Sequence, residues 1–327
     1  MMVVRFSLMV LALIAAFTLA LALGDQPLSL AQLRTAVLAP DDSPAFVRVI
    51  VWDLRMPRAL LATLVGMALA IAGTISQAIM RNPLAEPGLL GINAGAALAA
   101  MLVIVQLKSI PETWLPVLTF AGACSMSGLI YLLSWRQGTT SLRIILVGVG
   151  LSALAGAAAS FVSTFGDIRS VQRAMIWLSG SLQDSRWNKV EALALWLIAP
   201  TAFVWCGARA LNLIAIGDTV AHSLGQRVNL TRGLMILATA TLSGAAVAAS
   251  GLIAFVGLAA PHIARRVVGH RHHTLIPAAA LCGAIMVLGA DIVARRAMPP
   301  AQLPVGLMTG LLGAPFFGWL LWKKRND

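Results

Sequence analysis

The sequence has little charge for its length. Charged residues make up 11% of its 327 residues and hydrophobic residues 59%, whereas a soluble domain is about 25% charged and about 45–50% apolar. A soluble chain of this composition would expose much apolar surface to water, so the composition excludes a soluble enzyme. It also excludes intrinsic disorder, which requires low hydrophobicity. Because the apolar runs are continuous rather than alternating, the chain is predicted to be an all-α membrane protein.

Cysteine is scarce, and sequence motifs that are common in soluble enzymes are absent. The three cysteines, Cys124, Cys206 and Cys282, lie inside apolar runs. Their odd number and spacing predict small buried apolar residues rather than a disulfide framework or a metal motif. No G-x-x-x-x-G-K-[ST] phosphate loop occurs, so this chain alone is predicted not to bind ATP in that way. For the three histidines within residues 270–273, a solvated basic loop is favoured over a metal site.

Ten long apolar runs are what the sequence does contain. A spanning helix needs about 20 mostly apolar residues, and no Pro/Ser-rich linker divides the runs. Residues 1–327 are therefore predicted to form a single polytopic domain of about ten transmembrane helices. The first run is longer than the apolar core of a signal peptide, which favours a spanning helix. The runs cover residues 6–23, 59–80, 90–107, 114–134, 142–165, 190–208, 232–252, 253–264, 274–293 and 303–322.

The charged residues of the loops predict the orientation. With the N-terminus in the cytoplasm, ten spans return the C-terminus to the same side, which then holds 13 of the 24 basic residues but three of the 12 acidic ones. The inner side is the more positive, as short cytoplasmic loops are, and the Lys323-Lys324-Arg325 tail supports this orientation. The net charge of +12 sits in these loops without interleaved aromatic residues, so no nucleic-acid partner is predicted.

Two connections between the runs are long and polar. Residues 25–58 contain a possible surface helix over 28–38 on the outer side. Residues 209–231, on the inner side, place Asp218 to cap a short helix, Val220 and Leu224 on one face of it, and Gly225 at its end. A short amphipathic helix of this kind suits insertion into a partner's groove. A plain connecting loop is the alternative.

Small residues recur at every fourth position in the fifth and tenth runs. Such rows let helices approach closely, and they also suit a wide passage that interacts weakly with its cargo, so both interpretations stay open. No ionisable residue lies at the centre of either run, which argues against a proton relay. The rows are Gly148, Ser152, Gly156 and Ser160, and Gly306, Gly310 and Ala314.

One acidic residue, Asp291, lies near the outer end of the ninth run. An acid at this depth is either a functional ionisable group or the partner of Arg295, four residues further along the same helix. We favour the ion pair. The outer arginines themselves run against the positive-inside rule, which predicts that they have a specific role.

Three strings of the sequence carry a resemblance to a known family. They read RMPRALLATLVGMALAIAGTISQAIMRNPLAEPGLLGINAGA at 55–96, SGLIAFVGLAAPHIARRVVGHRHHTLIP at 250–277 and GADIVARRAMPPAQLPVGLMTGLLGAPFF at 289–317. In this order, and over nearly the whole chain, the sequence resembles the permease subunits of type II ABC importers, which move ferric siderophores, haem and cobalamin. The resemblance implies ten transmembrane helices per subunit and two permease subunits, identical or paralogous, around a central passage.

The resemblance also implies partners, cofactors and location. Two ATPase subunits beneath the permease pair would bind ATP and Mg, so no cofactor is expected on this chain. A periplasmic or lipid-anchored substrate-binding protein would dock on the outer side. Closure of the ATPases would rock the permease pair between outward and inward access. The permease would lie in the bacterial inner membrane with both termini in the cytoplasm.

Particular residues match the family's functional positions. The positions that dock the binding protein match Arg55, Arg58 and Arg295. The region that couples to the ATPase matches Gly217, Asp218, Ala221, Leu224 and Gly225. The cytoplasmic gate matches Asn82, Leu84, Thr140, Ser141 and Leu142, although the alignment at Thr140 slides by one residue. The passage lining or subunit interface is assigned to Gly148, Ser152, Gly156, Ser160, Gly306 and Gly310.

The expected cargo is a ferric-siderophore chelate. The string IWLSGSLQDSRW at 176–187 most resembles the ferric-siderophore branch, and haem and cobalamin importers of the same family are the alternatives. An ion-coupled secondary transporter is the alternative from another class. It would need buried acids or broken helices with ion ligands near mid-membrane, and the sequence shows none. A non-transporting membrane scaffold is the third alternative.

Overall fold

The structure is a computed structural model that describes residues 2–24, 26–136, 138–298 and 301–324. Pro299, Pro300 and Arg325, which the sequence analysis used, lie outside these ranges. The described residues are helical almost throughout. In chain order the helices are α1 (Met2–Ala22), α2 (Leu30–Leu38), α3 (Ala45–Val49), α4 (Met56–Ile79), α5 (Ile92–Met101), α6 (Leu115–Leu133), α7 (Ser141–Thr164), α8 (Ile168–Leu178), α9 (Trp187–Cys206), α10 (Ala208–Ile216), α11 (Asp218–Ser223), α12 (Val228–Ser250), α13 (Val256–Val268), α14 (His272–Arg296) and α15 (Val305–Lys324).

Each of the ten predicted apolar runs overlaps one of these helices, and the all-α fold class is confirmed. Two of the ten helices are short for a span: α5 with its π-helical extension covers Ile92–Gln106, and α13 has 13 residues. Among the described residues, the stretches long and apolar enough to cross a membrane are Met2–Ala22, Ala45–Ile79, Glu112–Leu133, Ser141–Thr164, Trp187–Cys206, Val228–Ser250 and His272–Arg296.

Helix α4 forms the centre of the molecule. Of its 24 residues, 19 are buried, so the helix is enclosed on all sides rather than along one stripe. It packs against α12, α13 and α14, whereas α1, α6, α7 and α9 bury only a small share of their residues and form the periphery. The core is therefore a bundle around α4, with the peripheral helices directing apolar side chains outward, as lipid contact requires.

Pairs of glycines set the closest helix crossings. Gly66 of α4 meets the backbone of Gly283 of α14, and a Cβ on either residue would overlap the other's carbonyl. A Cβ on Gly73 of α4 would overlap the carbonyl of Gly257 of α13, and one on Gly257 would meet Pro87 and the carbonyl of Leu69. Small residues at such crossings let the backbones of membrane helices approach closely, which compensates for the missing hydrophobic drive in lipid. These glycines hold α13 and α14 against the central helix.

The eighth apolar run is helical over Val256–Val268 and not over the predicted 253–264. Gly251 and Phe255 have φ angles of +72° and +66°, which lie in the left-handed region and interrupt a right-handed helix. The amide of Ser181 donates to the carbonyl of Ser250 at 2.8 Å, so a neighbouring loop satisfies part of the exposed backbone. The boundary shifted because this unwound segment, although apolar, is not helical.

Other local predictions have mixed outcomes. The surface helix expected over 28–38 is confirmed as α2, and Ser29 and Gln32 form a reciprocal capping box at its start. The amphipathic helix α8 was not predicted. The expectation that all three cysteines are buried is wrong for Cys206, which is exposed near the end of α9, while Cys124 is half-buried.

The helix ends define two faces of the molecule. We name them after the predicted orientation. The outer face carries residues 23–24, 26–55, α8, and residues 297–298 and 301–304. The inner face carries residues 80–91, 134–136 and 138–140, α10 and α11.

Candidate functional site

Three arginines lie near one another at the outer face, and two of them contact the same aspartate. The guanidinium of Arg58 donates to the Asp291 carboxylate from Nη2 at 2.8 Å and from Nε at 3.0 Å. Arg295 Nε lies 3.1 Å from the other carboxylate oxygen. The predicted pairing of Asp291 with Arg295 is thus confirmed, and Arg58, from a different helix, shares the same carboxylate. Because the Asp291 side chain is 1% exposed, this is a buried ion-pair cluster that joins α4 to α14.

Two of the arginines also close the end of α1. Arg55 Nη1 donates to the carbonyls of Leu21 and Ala22 at 2.6 and 3.0 Å. Arg295 donates to the carbonyls of Ala20 and Leu23 at 3.1 and 3.0 Å. The last carbonyls of a helix lack intrahelical partners and carry partial negative charge. The docking candidates therefore have a structural role as well, since they fix the end of α1 against α4 and α14.

A cavity of about 540 Å³ opens beside this cluster. Gln183, from the loop between α8 and α9, is exposed and its side-chain amide donates to the carbonyl of Gln302 at 3.3 Å. The charged residues among the described lining are all arginines. The lining comprises Gly24, Gln26, Ile50, Leu54, Arg55, Arg58, Gln183, Ser185, Arg295 and Gln302. The three predicted docking residues thus share one basic concavity on the outer face.

The predicted short helix on the inner face is present as α11. Its C-terminal glycine is confirmed: Gly225 has a φ of +80°, its amide bonds the His222 carbonyl at 2.9 Å, and the next amide, of Gln226, bonds the Ala221 carbonyl at 3.0 Å. This pair of bonds is a Schellman motif, which favours glycine.

The predicted capping role of Asp218 is wrong. Gly217, with a φ of +151°, occupies the N-cap position, and Asp218 is the first helical residue. The Asp218 carboxylate accepts a 2.7 Å hydrogen bond from Arg232 Nη2 instead. A capping aspartate would accept from a backbone amide of its own helix. Here the carboxylate pairs with a buried arginine of α12 instead of with such an amide.

Helix α11 presents an apolar surface outward from the inner face. Val220 and Leu224 are 42% and 63% exposed, and Ile216 at the end of α10 is 68% exposed, whereas Ala221 is fully buried. Ala221 anchors the helix, and the opposite side remains uncovered in the single chain. Exposed apolar patches of this kind mark interaction surfaces.

The two predicted gate segments lie side by side at the inner face. Ser141 Oγ donates to the carbonyl of Ile79, the last residue of α4, at 2.9 Å. Thr140 caps the N-terminus of α7 by accepting from the amide of Arg143, and Leu142 is 67% exposed. We call residues 139–141 the gate turn. A hydrogen bond from Ser141 to the backbone holds it against the end of α4.

The partner segment of the gate turn is a tight turn after α4. The side chain of Asn82 accepts from the amide of Leu84 at 2.9 Å, which is a local turn typical of asparagine. Burial raises the pKa of the Glu86 carboxyl in the same loop, because the charged form loses hydration.

The rows of small residues divide into two groups. A Cβ on Gly148 would overlap the carbonyl of Leu89, and one on Gly306 would overlap the carbonyls of Leu252 and Ser179. These two glycines therefore pack within the chain. In contrast, Gly156 and Gly310 have open space where a Cβ would lie, and Ser160 is exposed while Ser152 is half-buried.

Sequence reasoning missed one residue that the structure brings to prominence. Arg232 is fully buried near the start of α12, and it contacts both Asp218 and Thr139. The sequence signal is an arginine at the first position of the apolar run 232–252, which is also the place of an ordinary loop charge.

Comparison with known proteins agrees with this architecture. The model of the FecCD transport family matches residues 12–323. The chain belongs to the FecCD transport family. It is 39% identical over 322 residues to the "Iron(3+)-hydroxamate import system permease protein FhuG" of Bacillus subtilis (strain 168), an alignment that covers 96% of this chain and 95% of that protein.

Two further relatives of the family support the assignment. The chain is 43% identical over 288 residues to the "Hemin transport system permease protein HmuU" of Yersinia pestis, with 85% of this chain and 84% of that protein covered. Among solved structures, a metal-chelate type ABC transporter in an inward-facing conformation superposes with a TM-score of 0.89 at 30% identity, covering 98% of this chain and 99% of that one. The protein is therefore a multi-pass membrane permease of this transport family.

Proposed function

We propose that this chain is the permease subunit of an ABC importer that carries a ferric-siderophore chelate across the bacterial inner membrane. ATP and Mg are bound and ATP is hydrolysed on two separate ATPase subunits, and both termini of the permease lie in the cytoplasm. The observation that carries the proposal is the family match over 12–323. The hydroxamate permease aligned over 96% of this chain favours a siderophore, and the hemin permease at 43% identity makes haem the second candidate.

The apolar surface of α11 is proposed to seat the ATPase. Val220 and Leu224 provide an apolar contact on a rigid, capped helix, and such helices fit grooves of partner proteins. Replacing Leu224 by Asp should release the ATPase, because a charge would be buried in that contact. Thr219→Asp is the matched control: Thr219 is exposed in the first turn of the same helix, where an acid suits the helix dipole. Normal co-purification of Leu224→Asp with the ATPase would contradict the assignment.

The basic cavity of the outer face is proposed to receive acidic residues of a substrate-binding protein. Exposed charges mainly steer association, with a rate that falls as salt rises. Arg55, Arg58 and Arg295 also stabilise the fold, so reversing them would mix docking with stability. Gln183, exposed on the cavity rim, allows docking to be tested apart from fold stability. Gln183→Glu should slow association with the binding protein, and Gln183→Lys should not. Equal association rates at low salt for both variants would refute docking at this cavity.

The open part of the small-residue rows is proposed to meet a second permease subunit, of this chain or a paralogue, around the passage. A Cβ on Gly156 or on Gly310 would meet no atom of the described residues within 4 Å, and Ser160 is exposed on the same row as Gly156. Cysteine placed at position 160 should cross-link between subunits, whereas cysteine at position 155 should not, because Ala155 of the same helix is buried inside the chain. A transporter that is active and assembled but never cross-links through position 160 would exclude this interface.

An experiment on the cargo decides between the candidates. The permease is reconstituted with its ATPase and binding protein in liposomes, and ATP hydrolysis and uptake are measured with a ferric hydroxamate, haem and cobalamin in turn. Stimulation by the hydroxamate alone supports the proposal. Stimulation by haem alone replaces the cargo, and uptake driven by an ion gradient without ATP favours a secondary transporter.

A further inference from the structure

Arg232 is the largest fully buried side chain of the described residues, and it is charged. A buried guanidinium is costly unless it is paired and hydrogen-bonded. Arginine near the end of an apolar run ordinarily extends its charge toward water. Here the side chain of this α12 residue turns inward toward the gate turn and α11, so its contacts, rather than hydration, hold it in place.

The guanidinium joins two segments that are far apart in the chain. Nη2 donates to the carboxylate of Asp218, the first residue of α11, at 2.7 Å. Nη1 donates to the carbonyl of Thr139, at the start of the gate turn, at 2.6 Å, and lies 3.2 Å from the Thr139 hydroxyl. The guanidinium is planar and rigid, so the carboxylate and the carbonyl keep a fixed separation while both bonds persist.

The gate turn is also hydrogen-bonded to α12 and to α4. Asn229, one helical turn before Arg232, accepts from the Thr139 amide at 3.0 Å, and Ser141 donates to the last carbonyl of α4. Among the described residues, α11 is connected to the gate turn through the hydrogen bonds of Arg232. Movement of α11 relative to α12 therefore acts on the gate turn through one side chain.

We propose that Arg232 is the positioning residue that transmits displacement of α11 to the gate turn and thereby to the N-terminus of α7. This inference rests on the proposed function in taking α11 as the surface that the ATPase moves. When the ATPase shifts α11, the Asp218 carboxylate pulls the guanidinium, and the Thr139 carbonyl follows. The gate then responds to the ATPase without any contact between the two.

The functional test separates transmission from simple stabilisation. Arg232→Lys keeps the charge but loses the fork that holds two acceptors at a fixed separation. We expect the reconstituted complex to assemble and to keep its basal ATP hydrolysis, while cargo moved per ATP falls about fivefold or more, within the usual range of coupling between sites. Arg227→Lys is the matched control, because Arg227 is exposed five residues earlier. An unchanged ratio of transport to hydrolysis in an assembled Arg232→Lys complex overturns the proposal.

A second measurement uses the permease alone and does not depend on its cargo or partners. Asp218→Ala removes the α11 end of the connection without touching the gate turn. We expect hydrogen exchange of the backbone amides at 139–144 to accelerate about tenfold or more, since loss of an anchor promotes local opening. Asp184→Ala, at an exposed outer ion pair, should leave these amides unchanged.

The two measurements distinguish the possible failures. Unaltered exchange at 139–144 in Asp218→Ala overturns the connection, even if the complex transports a chelate. Accelerated exchange in a permease whose wild-type complex responds to no chelate retains the connection and rejects the proposed function instead. If Arg232→Lys does not fold, the exchange experiment still decides the proposal.

Discussion

Removing the Asp291 carboxylate tests whether the outer arginine cluster stabilises the fold. In the structure this carboxylate is almost completely buried and is shared by Arg58 and Arg295. Removing one partner of a buried ion pair typically costs about 3–5 kcal/mol. Arg58 keeps a bond to Gln302 at 2.7 Å and Arg295 keeps its bonds to α1, so we expect Asp291→Ala to lie at the low end, about 3 kcal/mol.

The assay is thermal unfolding of the purified permease in one detergent at one scan rate, because unfolding of such proteins is commonly irreversible. The matched control is Asp184→Ala, which removes an acid that also contacts two basic residues but is 64% exposed. Exposed pairs contribute about 0–1 kcal/mol. The unfolding midpoint should therefore drop by several degrees in Asp291→Ala and hardly at all in the control. Equal midpoints for the two variants would refute the view that this cluster holds α4 to α14.

Two other predictions concern the helix contacts and the gate. Gly283→Ala should destabilise the protein by about 1–3 kcal/mol through overpacking, because its Cβ would meet the backbone of Gly66. Gly289→Ala on the same helix should be neutral, because a Cβ there has open space among the described residues. Equal unfolding midpoints for the two variants would contradict the close crossing. Glu86→Gln should stabilise the protein at neutral pH. Burial raises the pKa of the Glu86 carboxyl in the folded state, so the folded state loses stability as the pH rises through that raised pKa and the carboxyl ionises. Glutamine stays neutral and avoids this loss. The difference between Glu86→Gln and the wild type should shrink as the pH falls toward about 4, the ordinary pKa of a glutamate carboxyl, and a difference independent of pH would refute this cause.

The helices were predictable because their signals are local. About 20 apolar residues in sequence suffice to identify a span, and the turn chemistry of Gly225 is contained in a few neighbouring residues. The pairing of Asp291 with Arg295 was predictable for the same reason, since the two lie four residues apart on one helix.

Contacts between distant parts of the chain were not predictable in this way. Gly66 and Gly283 lie far apart in the sequence. The residues next to them in the sequence do not distinguish them from glycines that face open space. Arg232 looked like a loop charge because its burial depends on Asp218 and on a turn 93 residues earlier. The unwound residues after Gly251 were missed because hydropathy records polarity and not backbone conformation.

The divided row of small residues on α7 has a consequence for how the transporter is made in the cell. Gly148 packs against this chain's own backbone, so it matters while the single chain folds in the bilayer, whereas in the proposed assembly Gly156 and Ser160 would come into use only when a second subunit arrives. Helices in membranes first insert and then associate, so in that assembly the same four-residue spacing would serve two successive stages of biogenesis. Defects at the inner part of the row should lower the amount of permease that survives proteolysis. Defects at the outer part should leave normal amounts of an orphan subunit.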